Sequence, residues 1–165
     1  MESIEEGRIV QISISRGGAP KLPVASARLT TEGLVGDLHF DVRNHGGPLR
    51  ALCLFTLEEI ARLADEGHPI FPGAAGENIT LSGLALESLT PGTRLALGEE
   101  VVIEVTQYTS PCVGIEHAFS DGDFTRISQK LHPGESRVYA KALRTGELRT
   151  GDVARVLAAD EVIGD

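Results

Sequence analysis

Along much of this chain polar and apolar residues alternate by twos, the spacing of strands, and only in a few places do apolar residues recur at the spacing of a helix. From Arg8 to Ser15, Val10, Ile12 and Ile14 fall on one face and Gln11, Ser13 and Ser15 on the other, which predicts a half-buried strand. Gly17-Gly18-Ala19-Pro20 ends it. Val24 to Leu29 is a second short candidate. Ala51 to Phe55 is apolar on both faces and reads as a central strand. Arg94 to Leu97, Gly98-Glu99-Glu100 and Val101 to Thr106 read as a hairpin. Arg137 to Leu143 and Val153 to Leu157 are two further strands, with Gly146 and Thr150-Gly151-Asp152 as turns between them. Helical signals are fewer. Thr56 stands at a cap position with Glu59 three residues on, Ile60, Leu63 and Ala64 follow at helical spacing, and Gly67 suits the residue after the helix. Phe124 to Leu131 is a second short candidate. Short strands broken by turns, with a few short helices, predict a mainly β fold, a barrel or a sandwich, rather than alternating βαβ units.

Composition narrows the class. The 165 residues are 41% hydrophobic and 24% charged, with 19 glycines and 4% aromatics. These values predict an ordered chain rich in tight turns. Residues 8–157 read as one continuous domain, and 158–165, with three acids, as a loose acidic tail. The formal net charge of −9 argues against a nucleic-acid binder, although not against a local basic pocket. The longest apolar run, Ala51 to Phe55, is far short of the roughly 20 residues of a membrane span. The acidic N-terminus has no signal-peptide pattern, and two cysteines make no disulfide scaffold, so a reduced, cytoplasmic protein is expected.

Candidate chemistry gathers at a few points. Cys112 lies just after Pro111, and a proline cannot extend a sheet ladder, so the thiol falls on a loop at a strand end. A reactive thiol and a packed apolar one are both open readings there. Cys53, inside an apolar strand, reads as a packed core thiol. The segment Gly36 to Gly47 is polar and glycine-rich and holds His39, Arg43 and His45. Gly46 and Gly47 would let backbone N–H groups approach an anion that Arg43 clamps. A second loop, Phe71 to Asn78, carries Gly73, Gly76, Glu77 and Asn78, the last two able to orient a ligand or cap a turn. Neither loop matches a P-loop or a dinucleotide fingerprint, and no metal-ligand spacing appears. Late in the chain Arg137, Tyr139 and Lys141 share one strand face, either a solvated face or an anion-binding one.

In order, Gly36-Asp37, His45-Gly46-Gly47, Pro72-Gly73, Gly76-Glu77-Asn78, Gly92, Gly98, Val101 to Gln107, Pro111-Cys112, Gly146 and Gly151-Asp152 resemble the MOSC domain, named for the C-terminal domain of molybdenum cofactor sulfurases. The likeness runs over about Arg8 to Leu157 and is nearest to small stand-alone bacterial members. It implies a mixed β-barrel with short helices. It implies that Cys112 is the family's characteristic cysteine, a ligand to the molybdenum of a bound molybdopterin cofactor in reductases of N-hydroxylated substrates, or a persulfide-bearing sulfur carrier. Arg43, His45, Gly46, Gly47, Glu77, Asn78, Arg137 and Lys141 are then the candidate cofactor-binding residues, converging with Cys112 on one pocket. A small-molecule substrate and a redox partner or cysteine desulfurase are the implied partners. No pyridoxal phosphate is expected, since that chemistry belongs to a separate domain of the large sulfurases. Val113-Gly114-Ile115-Glu116 departs from the basic residue that many reductase-type relatives carry after Pro-Cys. A plain binding barrel with an inert Cys112 is the third, non-enzymatic reading.

Overall fold

The computed structural model of the chain describes residues 5–38 and 46–164. It contains β1 (Glu6–Ile14), β2 (Leu22–Val24), β3 (Ser26–Thr30), β4 (Gly33–Leu34), β5 (Leu52–Thr56), α1 (Leu57–Asp65), β6 (Ile79–Ser82), β7 (Arg94–Leu97), β8 (Val101–Tyr108), β9 (Val138–Arg144), β10 (Gly146–Arg149) and β11 (Val153–Val156). Short 3-10 turns span Pro48–Arg50, Leu86–Ser88, Val113–Ala118 and Phe124–Ile127.

The strands pair in the order β11-β7-β8-β9-β5-β6-β1, and β1 closes the circle onto β11. β1 reaches β11 through Glu6 opposite Arg155 and Arg8 opposite Val153, and β6 through Ile9 opposite Leu81 and Ile12 opposite Ile79. Closure removes the sheet's free edges. Among the described residues only β5 and β6 run parallel, joined by a crossover that contains α1, so the barrel is mixed, as expected. β2 extends β1, and β10-β3-β4 form a second small sheet.

Leu52, Leu54 and Phe55 of β5, Ile79 and Leu81 of β6, and Leu95, Leu97, Val101, Ile103 and Val105 of the β7–β8 hairpin make the core. The double-sided apolarity of β5 is explained by α1, whose Ile60 and Leu63 join that core from outside the barrel wall. Thr56 caps α1 by accepting from the Glu59 amide at 3.3 Å. The Glu59 carboxylate turns to Arg62 at 2.6 and 2.7 Å instead of back to the cap. Gly67, at φ 102°, donates to Ala64 and ends the helix as expected.

Several local expectations are corrected. The apolar face of β1 is not Val10, Ile12 and Ile14: Ile9 and Ile12 are the fully buried pair. Ile9 faces Leu81 while Gln11 faces Thr80, so Val10 is the extra residue of a β-bulge, and the inward face shifts by one. Val24 to Leu29 splits at Ala25 into β2 and β3, which belong to different sheets. Gly146 is not only a turn; it opens β10, which pairs with β3. Phe124 to Leu131 yields a 3-10 turn over Phe124–Ile127 rather than a helix. β6 was hidden behind the Phe71 to Asn78 loop. Residues 158–164 carry no regular structure, and Arg94 donates to the carbonyls of Ala158, Ala159 and Glu161. Among the described residues no helix is long and apolar enough to cross a membrane.

Candidate functional site

Five stretches of chain meet at a cavity of about 270 Å³. Gly18, Ala19 and Lys21 come from the β1–β2 connection, Arg50 from the turn before β5, and Cys53 from β5 itself. Ala75, Gly76 and Asn78 come from the loop before β6, Cys112, Gly114 and Ile115 from the segment after β8, and Arg137 and Tyr139 from the start of β9.

Asn78 is the clasp of this wall. Its side-chain oxygen accepts from the Cys53 amide at 3.0 Å, and its amide group donates to the Ser13 carbonyl at 3.2 Å and to Asp37 at 2.8 Å. Its backbone bonds Cys53 on one side and Ser13 on the other. Asp37, from the Gly36-Asp37 pair, also receives Lys21 Nζ at 2.7 and 2.9 Å and the Ser15 amide at 2.9 Å. Lys21 is only 6% exposed. A buried ammonium without its carboxylate would cost several kcal/mol, so Asp37 is what permits a lysine there.

The loop before β6 is held tight against this cluster. Glu77, fully buried, accepts from the Gly73 amide and the Thr80 hydroxyl, both at 3.0 Å. Gly73 has φ +91°, and a Cβ there would lie 2.4 Å from the Lys21 carbonyl oxygen, so only glycine permits this approach. Burial pushes the Glu77 carboxyl above the usual carboxylate range, against its hydrogen bonds and the charge of Arg137. The second carboxyl oxygen, Oε1, has no partner.

Arg137 is 4% exposed. One of its terminal nitrogens, Nη1, donates to the Ala75 carbonyl at 2.7 Å, while Nε is buried without a partner. A buried guanidinium with an unmet donor beside a cavity has the chemistry to meet an anion. The Arg50 guanidinium stands 5.8 Å from the centre of the Tyr139 ring. Burial, and secondarily Cys53, pushes the Tyr139 hydroxyl far up, so it keeps its proton.

The two thiols differ. Cys112 is exposed, in extended conformation at the start of the Val113–Ala118 turn. Cys53 is buried, its sulfur 3.6 Å from Thr109 Oγ1. Burial pushes the Cys53 thiol up, and Arg137 pulls against that.

Of the residues expected to bind a cofactor, the structure brings Asn78, Arg137 and Cys112 to the cavity wall, with Glu77 buried behind it. Gly46 and Gly47 do not line the cavity but lead into the turn that carries Arg50. Lys141 lies outside it, its Nζ 3.4 Å from Glu104 across the β8–β9 ladder. Arg43 and His45, like His39, lie outside the described residues. Lys21, Arg50 and the cavity-facing position of Cys53 were not anticipated. The only trace of Lys21 in sequence is a lone lysine beside a glycine-rich turn.

A family model for the MOSC domain matches residues 41–155. The chain is 31% identical over 146 residues to the uncharacterized protein YflK of Bacillus subtilis (strain 168), across 87% of this chain and 65% of that protein. It is 35% identical over 105 residues to the protein YiiM of Escherichia coli (strain K12), across 61% and 46%. The chain thus spans less than two thirds of both relatives. A Gibberella moniliformis protein named reductase is 26% identical over 130 residues, across 76% of this chain and 22% of that one. The crystal structure of the YUAD protein from Bacillus subtilis superposes with a TM-score of 0.73 at 20% identity, covering 94% and 98% of the two chains. That of YiiM from Geobacillus stearothermophilus gives 0.68 at 22%, covering 92% and 75%. At such identities the structural likeness concerns the fold alone.

Proposed function

We propose, from the premise that this chain belongs to the MOSC domain family, that its cavity binds a molybdenum cofactor and that Cys112 supplies a sulfur ligand to the metal. The observation that carries this reading is an exposed thiol sharing one cavity with a buried arginine whose Nε is unmet. A molybdopterin is anionic at its phosphate and soft at its metal. The donor set fits both ends: Arg137, Lys21 and Arg50 suit an anion, and Cys112 suits a soft metal. Among the described residues no three His, Cys, Asp or Glu side chains converge into a cage for a bare ion.

Arg137, whose Nη1 is held by the Ala75 carbonyl, would present its unmet Nε to the anionic end of the cofactor. Lys21, neutralised by Asp37, would offer a fixed N–H donor rather than net charge. Tyr139 and Ile115 give apolar wall that excludes water from the bound group. When bound, the cofactor supplies the metal centre through which electrons from a redox partner reach a small N-hydroxylated substrate. The name reductase carried by one relative supports the redox reading.

The exposure of Cys112 favours a second reading, in which a cysteine desulfurase loads it with sulfane sulfur and no metal is needed. Protein made in a cofactor-synthesising host, analysed for molybdenum and pterin with a Cys112→Ala control, separates the two. Molybdenum and pterin in the native chain that fall sharply in the variant support the cofactor reading. Metal-free protein that gains one sulfur mass at Cys112 from a desulfurase overturns it.

A further inference from the structure

We propose that the cavity is also a two-coordinate site for a soft monovalent cation of the Cu(I) or Ag(I) class, held between Cys53 and Cys112. This does not rest on the cofactor reading, since it requires two thiols and no pterin.

Cys53 is buried, at 6% exposure, yet lies outside the contiguous apolar cluster that holds Leu52, Leu54 and Phe55 of its own strand. It lines the cavity instead. Cys112 comes from a distant part of the chain and lines the same cavity. Its sulfur lies 3.5 Å from the place a Cβ on Gly114 would take, and Gly114 is itself cavity wall. The segment that carries Cys112 begins at Thr109, whose hydroxyl is 3.6 Å from the Cys53 sulfur. The two thiols are therefore brought to one space by β5 and by the chain leaving β8.

The surroundings choose the ion. A hard divalent cation wants carboxylates, and Asp37 is taken by Lys21. A d10 monovalent ion wants two thiolates in line and nothing else. On binding, each thiol gives its proton to solvent, two metal–sulfur bonds form, and the group carries one net negative charge. Arg137, with its unmet Nε, lines the cavity to balance that charge. The guanidinium that repels a free metal ion thus stabilises its dithiolate complex.

Silver(I) is added to the cofactor-free, reduced chain at one equivalent, followed by alkylation and peptide mapping of both cysteines. The expected result is that one ion protects Cys53 and Cys112 together. X-ray absorption should show two sulfurs at the metal. Cys53→Ala should weaken binding about a hundredfold or more, because the second bond is intramolecular. Protection of Cys112 alone, or a single-sulfur signature, overturns the proposal in the native chain without recourse to a variant. Equal affinity in Cys53→Ala overturns it as well. Loss of silver binding with normal molybdopterin loading, or the reverse, tells this failure from that of the cofactor reading.

Discussion

Arg137 and Arg126 are both arginines beside carboxylates, and they are used in opposite ways. Arg126 binds Glu66 at 2.7 and 2.9 Å and Glu135 at 2.6 Å. Arg62 joins this network through Glu59 and Glu135. Burial works to raise the Glu135 carboxyl, yet the two arginines hold it below the usual range. Glu59, Arg62, Glu66, Arg126 and Glu135 answer one another's charge across that region, which ties α1 to the segment before β9. Across the molecule Arg137 is more deeply buried and less satisfied, with one carbonyl partner, an unmet Nε and, behind the wall, a Glu77 oxygen also unmet. Charge answered within the chain supports structure. Charge buried and left unmet beside a cavity is the feature on which the proposed binding site rests.

The contrast can be broken in graded steps. Asp37→Ala has the largest expected effect, because it leaves Lys21 buried without its carboxylate. A loss of about 3–5 kcal/mol, or a melting temperature lower by roughly 6–20 °C, should appear in calorimetry. Arg137→Met should behave differently. Stability is expected to stay near the native value, since an apolar side chain of similar length replaces an ill-satisfied charge. Affinity for an anionic pterin should fall about ten- to a hundredfold in equilibrium dialysis. If Arg137→Met unfolds the chain as Asp37→Ala does, Arg137 is structural and the contrast fails.

Glu77→Gln sharpens the same point through pH. The folded chain holds the Glu77 proton more tightly than the unfolded one, so its contribution is complete below the ordinary value of about 4.5 and is lost as pH rises through the higher folded value. Denaturant titrations across that range should show stability falling with pH in the native chain and a shallower fall in Glu77→Gln, which keeps the acceptor for Gly73 and Thr80. An unchanged slope would mean that Glu77 is not the group responsible. The smallest effect belongs to the answered network. Arg62→Ala should cost less than about 1 kcal/mol. That cost should shrink with added salt, because the Arg62 side chain is 47% exposed.

The fold was legible where one stretch of chain carries its own instructions. Thr56, Glu59 and Gly67 mark α1, and Gly98 with its neighbours marks the β7–β8 hairpin, through signals that lie within a few residues of one another. The ordered glycines and Pro111-Cys112 gave the family, which the match over residues 41–155 bears out. What depends on distant partners was hidden. The bulge at Val10 exists only in relation to Leu81 and Thr80, and β10 only in relation to β3. The site shows the same divide. Cys112 and Arg137 carry unusual chemistry for their places in the chain and could be singled out. Lys21 reads as an ordinary surface lysine until Asp37, sixteen residues on, folds over it. Cys53 is buried, as its strand implies, but alternation alone cannot say that its side of β5 meets a cavity rather than the core. Lys141 shares a strand with Arg137, yet Glu104 on the next strand takes it.

The most direct test compares two basic residues of β9 and its approach in the cofactor-synthesising host. Molybdenum and pterin content are measured in Arg137→Met and Lys141→Met beside the native chain. If the cavity beneath Cys112 is the cofactor site, Arg137→Met loses most of its pterin and metal while Lys141→Met loads like the native protein. Equal loading of both variants, or a loss confined to Lys141→Met, would contradict the assignment of that cavity.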